Sequence, residues 1–90
     1  MKITLKSNFD LGLEEMEFAD DSTSLRNLLE ELGRLHTDME FIDPRSPNEA
    51  EEFFTVSING KEYRFLPQRL DSPLRDGDVV EVAVVMFGGG

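Results

Sequence analysis

Ninety residues, 39% of them apolar and seven of them phenylalanine, describe one small folded domain with little room for an interior catalytic cavity. Nineteen acidic against nine basic residues leave a formal charge of −10, which repels nucleic-acid phosphates and anionic membrane surfaces and suits either a basic docking partner or plain solubility. The absence of cysteine removes disulfides, thiolate metal sites, iron–sulfur clusters and cysteine nucleophiles together. No apolar run approaches the length that spans a bilayer and no signal-peptide pattern opens the chain, so a cytoplasmic location is expected.

The chain opens with Lys2-Ile3-Thr4-Leu5-Lys6, which alternates polar and apolar residues, and Leu13-Glu14-Glu15-Met16-Glu17-Phe18 alternates more loosely. Asn8, Asp10 and Gly12 supply turn chemistry between them, so the pattern predicts an antiparallel hairpin with Ile3, Leu5, Met16 and Phe18 on one face. Ser22, Thr23 and Ser24 offer N-cap hydroxyls ahead of Leu25, Leu28, Leu29, Leu32 and Leu35, whose spacing marks a single helical face packed on a sheet. Gly33 weakens the last turn of that helix and is a candidate to end it early. From 36 to 53 the character changes: Asp43-Pro44-Arg45-Ser46-Pro47 breaks regular structure and an acidic run follows, which reads as a surface loop pinned at its start by Phe41 and Ile42.

Phe54-Thr55-Val56-Ser57-Ile58 then alternates cleanly, Asn59-Gly60 supplies the residues of a type I′ turn, and Lys61-Glu62-Tyr63-Arg64-Phe65 alternates again, predicting a second hairpin. After an irregular stretch, Asp76-Gly77-Asp78 turns the chain into a final apolar strand from Val79 to Phe87. Pleating sends Val80, Val82, Val84 and Met86 to one face of it and Val79, Glu81, Ala83, Val85 and Phe87 to the other. One helix covers only one face of a small sheet, so the second apolar set is surplus, and Val85 and Phe87 are expected to mark a docking surface; the alternative is that the loop at 36–53 folds over them.

Gly88, Gly89 and Gly90 close the sequence. Glycine is entropically costly to order and buries no side chain, so three in succession add nothing to a core. Their use is to be thin: a tail without Cβ atoms threads a narrow channel on another protein and presents a carboxylate to chemistry there. No helix follows them, so they are not a phosphate loop. His36 stands without a nucleophile or orienting acid at a readable spacing, and Glu14, Glu15, Glu17, Asp20 and Asp21 match no calcium-loop pattern, so no catalytic residue and no metal site is expected.

Element order and tail together resemble the β-grasp arrangement of ubiquitin, an α+β fold with a mixed sheet of about five strands on one main helix. Val56-Ser57-Ile58-Asn59-Gly60, then Leu74-Arg75-Asp76-Gly77-Asp78-Val79-Val80-Glu81-Val82, then the diglycine terminus, more narrowly resemble the MoaD/ThiS family of ubiquitin-like sulfur carriers. The resemblance implies a β-grasp domain over 1–87, with an insertion at 36–53, and a flexible tail over 88–90. It further implies that Gly90 is adenylylated by a ubiquitin-activating-like partner that uses ATP, becomes a thiocarboxylate, and hands its sulfur to an acceptor synthase. Gly88 and Gly89 would thread the partner's channel, and this chain would bind no cofactor. It would act as a carrier, or as the small subunit of a synthase complex, rather than as an enzyme. The length of the 36–53 loop favours a molybdopterin-type over a thiazole-type carrier. A ubiquitin-like modifier joined to protein lysines through Gly90, and a plain β-grasp binding module, remain as other readings.

Overall fold

A computed structural model describes residues 1–19, 22–36 and 38–85. Strands β1 (Lys2–Ser7) and β2 (Glu15–Glu17) form the antiparallel hairpin that the alternation predicts, with Ile3 opposite Met16. Ile3, Leu5 and Met16 enter the core, while Phe18 lies just past β2, partly buried against the same cluster. Two-residue strands β3 (Thr23–Ser24) and β6 (Pro73–Leu74) pair with each other beside the main sheet, an addition too short to leave a period in the sequence.

Helix α1 (Leu25–Leu35) begins where Ser24 caps it, the serine side chain accepting from the backbone N–H of Asn27 at 3.2 Å. Leu25, Leu28, Leu29 and Leu32 are buried, each contributing about 1.5–3 kcal/mol of burial. Leu35, predicted to belong to this face, is instead 57% exposed at the last residue of the helix. Gly33 does not end the helix; His36 caps it, its N–H donating to the Leu32 carbonyl at 2.9 Å.

Strand β4 (Phe54–Ile58) turns at Asn59-Gly60 into β5 (Lys61–Glu62), with φ of 52° and 86° at the two turn residues, as a type I′ turn requires. The second arm is shorter than the alternation predicts: Tyr63–Phe65 coils into a 3₁₀ turn that buries Tyr63 and leaves Phe65 exposed. The phenol decides the matter, since its hydroxyl accepts the buried Ala50 N–H at 2.9 Å. Strand β7 (Val79–Val84) enters between β1, parallel, and β4, antiparallel, giving the sheet order β2-β1-β7-β4-β5. A mixed five-stranded sheet with the last strand in the middle and one helix across a face is the ubiquitin-like β-grasp fold.

The segment from 36 to 53 is more than surface loop. Ile42 bridges Ala50, Phe41 is buried with its ring 5.0 Å from that of Phe54, and Glu51 N–H donates back to the Phe41 carbonyl at 2.9 Å. Arg26 of α1 ties its tip to the body, donating to Asp71 at 2.8 Å, to Asn48 at 3.1 Å and to the Pro47 carbonyl.

Candidate functional site

The end of β7 is where the expected tail begins, and its backbone is held from both sides. Strand β1 stops at Ser7, but the Asn8 side chain continues its role: Oδ1 accepts the Val84 N–H at 2.8 Å and Nδ2 donates to the Val84 carbonyl at 2.9 Å. A primary amide offers one donor and one acceptor with the spacing of a peptide group, which a carboxylate or hydroxyl cannot do. On the other flank Val85 N–H donates to the Phe53 carbonyl at 2.7 Å. The backbone at Val84 and Val85 is therefore fixed from both flanks.

Val80 and Val82 face the core and Val84 packs partly against it, whereas Glu81 is exposed and Ala83 and Val85 are half-buried. The 36–53 segment sends Phe41 into the core, beside Phe54, and its two ends flank the end of β7. Between them runs a groove of about 580 Å³, floored by Met39, Phe53 and Val84 and rimmed by Asp38, Glu40 and Glu51. Phe53 is 48% exposed, an apolar ring beside the last described residue of the strand. Of the residues expected at the site, Val85 is placed here; Phe87, Gly88, Gly89 and Gly90 lie outside the described residues, as does Met86. Sequence reasoning did not single out Asn8, Met39 or Phe53, because Asn8 reads as an ordinary turn residue and the other two sit in a segment without periodicity.

Among the described residues no group of His, Cys, Asp or Glu is arranged to hold a metal ion. His36 Nε2 is buried without a hydrogen-bond partner among them, next to the turn at Gly12, and no nucleophile is paired with it. The shifted acid and base pair lies elsewhere: the hydrogen bond to Asp71 raises Arg26 above the usual guanidinium range, and the same bond holds the Asp71 carboxyl below the usual carboxylate range. That pair belongs to the Arg26 clamp, not to the end of β7.

The turn motifs converge at the opposite end of the strand. Asp78 accepts from Asn59 Nδ2 at 3.0 Å and from the Arg75 N–H at 2.8 Å, while Asn59 Oδ1 accepts the Val79 N–H at 2.8 Å. Asp76 accepts the Lys2 N–H at 2.7 Å, and Gly77, at φ 89°, donates to the Lys2 carbonyl at 2.8 Å. Asn-Gly and Asp-Gly-Asp are thus one hydrogen-bonded node joining the starts of β1 and β7 to the second hairpin.

These features define a ubiquitin-like β-grasp protein whose central strand ends held on both flanks. The ThiS family model matches residues 9–90, and the chain belongs to that family, whose members are small ubiquitin-like sulfur carriers rather than catalysts. SAMP1 from Haloferax volcanii superposes with a TM-score of 0.72 at 19% identity, over 99% of this chain and 100% of that one. A putative molybdopterin converting factor, subunit 1, from Pyrococcus furiosus matches with a TM-score of 0.63 at 26% identity, over 94% of this chain and 98% of that one. The BexX/CysO complex of Amycolatopsis orientalis contains a chain that matches with a TM-score of 0.64 at 14% identity, over 97% of this chain and 99% of that one. No curated protein matches the sequence.

Proposed function

We propose that this chain is a sulfur carrier whose Gly90 α-carboxylate is the reacting group. The observation that carries the reading is ThiS-family membership over 9–90, and the held exit of β7 beside Val85 supports it. A carboxylate is a poor electrophile. It attacks the α-phosphorus of ATP on a partner enzyme, pyrophosphate leaves, and the resulting acyl-adenylate accepts a sulfur nucleophile with loss of AMP. The thiocarboxylate sulfur then attacks an electrophilic carbon of an acceptor, and water cleaves the acyl–sulfur bond, leaving sulfur on the acceptor and the carboxylate on this chain. The partner holds the nucleotide and stabilises the transition state; this chain supplies the electrophile, with 1–87 as body and 88–90 as tail.

Gly88 and Gly89 thread the partner's channel, and Val85, which bonds to Phe53, docks beside it together with Phe87. The acceptor is a cofactor-synthase subunit in the cytoplasm, molybdopterin-type first and thiazole-type next. The molybdopterin description of the Pyrococcus relative supports that order, as does the length of the 36–53 excursion. The test is the intact mass after incubation with the host's adenylating enzyme, Mg-ATP and a sulfur source, beside a variant lacking Gly90. Exchange of one oxygen for sulfur, absent in the variant, is the expected result. An unchanged mass with every adenylating enzyme of the host overturns the reading, and isopeptide-linked products in place of the thiocarboxylate would make the chain a protein modifier.

A further inference from the structure

Two cations without an ion pair among the described residues border one cleft beyond the end of β4 that lies opposite Phe54. Residues 61–75 hold four of the nine basic side chains, Lys61, Arg64, Arg69 and Arg75, against two carboxylates, Glu62 and Asp71. Of the nine, six are paired with carboxylates, and Lys61 and Arg75 are among those that form no ion pair among the described residues. Both line one cleft of about 630 Å³ between the β4–β5 turn and the 66–75 segment. Its floor is apolar, made by Ile58 and Leu66 with Pro67 and Pro73 at the sides. Ser72, 6% exposed, belongs to the same wall, and its Oγ has no hydrogen-bond partner among the described residues. Asp78 also borders the cleft, but both of its carboxylate oxygens are engaged, one by Asn59 and one by the Arg75 N–H.

We infer that this cleft is a docking site for an acidic peptide segment carrying an apolar anchor, offered by a partner protein. Charge complementarity selects the occupant. Lys61 and Arg75, neither in an ion pair among the described residues, outnumber the one carboxylate of the cleft, Asp78, and flank a floor that accepts an aliphatic side chain. The rim residues Lys61, Pro67, Gln68, Pro73 and Arg75 are all exposed, so the cleft is open along the surface and suits an extended chain better than a small metabolite, which a good site would enclose. The site lies beyond Ile58 and Asn59, at the end of β4 opposite Phe54 and the Val85 exit, so a partner held here leaves the exit of β7 open to a second protein.

The test is amide chemical-shift mapping by NMR with a capped octapeptide of two leucines among six aspartates, and the same peptide with lysines in place of the aspartates. Saturable shifts at Lys61, Gln68 and Arg75, without shifts at Ala83 and Val85, are expected with the acidic peptide alone. Raised salt weakens them, and the Lys61→Glu/Arg75→Glu double variant weakens binding about tenfold, as loss and reversal of two exposed ion pairs implies. Lys61→Ala/Arg75→Ala is the gentler control for folding, and its binding is expected to fall between. Absence of saturable shifts at millimolar acidic peptide, equal shifts with the lysine peptide, or shifts centred on Val85 each overturn the inference. Concentration-dependent shifts of the same amides without peptide overturn it in favour of a second copy of this chain.

Discussion

Replacing Asn8 by alanine removes both side-chain hydrogen bonds to Val84, and because these bonds are exposed the expected cost to global stability is only about 1 kcal/mol. The local effect is larger: faster amide exchange at Val84, and slower thiocarboxylation if the exit direction matters to the partner. Asn8→Asp is expected to be no better than alanine. It keeps an acceptor for the Val84 N–H but sets a carboxylate oxygen against the Val84 carbonyl. Exchange rates at Val84 that match the parent's in both variants would remove Asn8 from the site. Tyr63→Phe tests a second single atom. The hydroxyl accepts the buried Ala50 N–H, so its loss leaves a donor unsatisfied and should cost about 1–3 kcal/mol, read as a lower urea midpoint. Neither role was legible in the sequence. An asparagine between strands and a tyrosine in an alternating run both have commoner uses, and their partners lie 76 and 13 residues away.

At the scale of elements, what the sequence announced was whatever repeats locally. The leucine spacing of α1, the Ser24 cap and the Asn59-Gly60 turn are interactions among residues close in the chain, and the structure contains all three. Long-range ties wrote no period. The 36–53 segment is organised by Phe41 on Phe54, by Ala50 on Tyr63 and by Arg26, and each partner lies on another element. The Arg26 clamp makes a pH prediction. Its hydrogen bond lowers the Asp71 carboxyl relative to the unfolded chain, so the unfolded state binds the proton more readily. The contribution is complete above the ordinary carboxylate pKa of about 3.9 and is lost as pH falls through the depressed folded value. Arg26→Met, which keeps the stem and deletes the guanidinium, should therefore lower the urea midpoint most at neutral pH and less in acid. A difference that stays constant from neutral pH into strong acid would mean that the Asp71 bond contributes nothing. The bonds to Pro47 and Asn48 do not titrate, and they set the part of the loss that persists.

For the whole molecule, β7 separates two tasks along its length in the proposed function: one end is locked into the fold, and the other leads to the tail that a partner would take. The residues that made the family resemblance visible, Asn59, Asp76, Gly77 and Asp78, lie at the locked end, so they report architecture; the proposed site rests in the sequence on the terminal glycines, Val85 and Phe87. Mutations should divide accordingly. Asp78→Ala strips acceptors from Asn59 and Arg75 and is expected to cost about 1–2 kcal/mol, lowering Tm by several degrees in a domain of this size, while thiocarboxylation well below Tm continues. Removal of Gly90, or Gly89→Val, deletes no buried side chain and should leave Tm where it was while abolishing the mass gain. Neutralising Asp38, Glu40 and Glu51 together belongs to a third class, because these carboxylates rim the groove beside the exit. That variant should fold normally and associate more slowly with a basic activating partner. The difference should be largest at low ionic strength and fade as the Debye length falls to about 8 Å near physiological salt. Association rates that match the parent's at low salt would show that the acidic rim steers nothing, and would leave the apolar contacts at Val85 and Phe53 to select the partner alone.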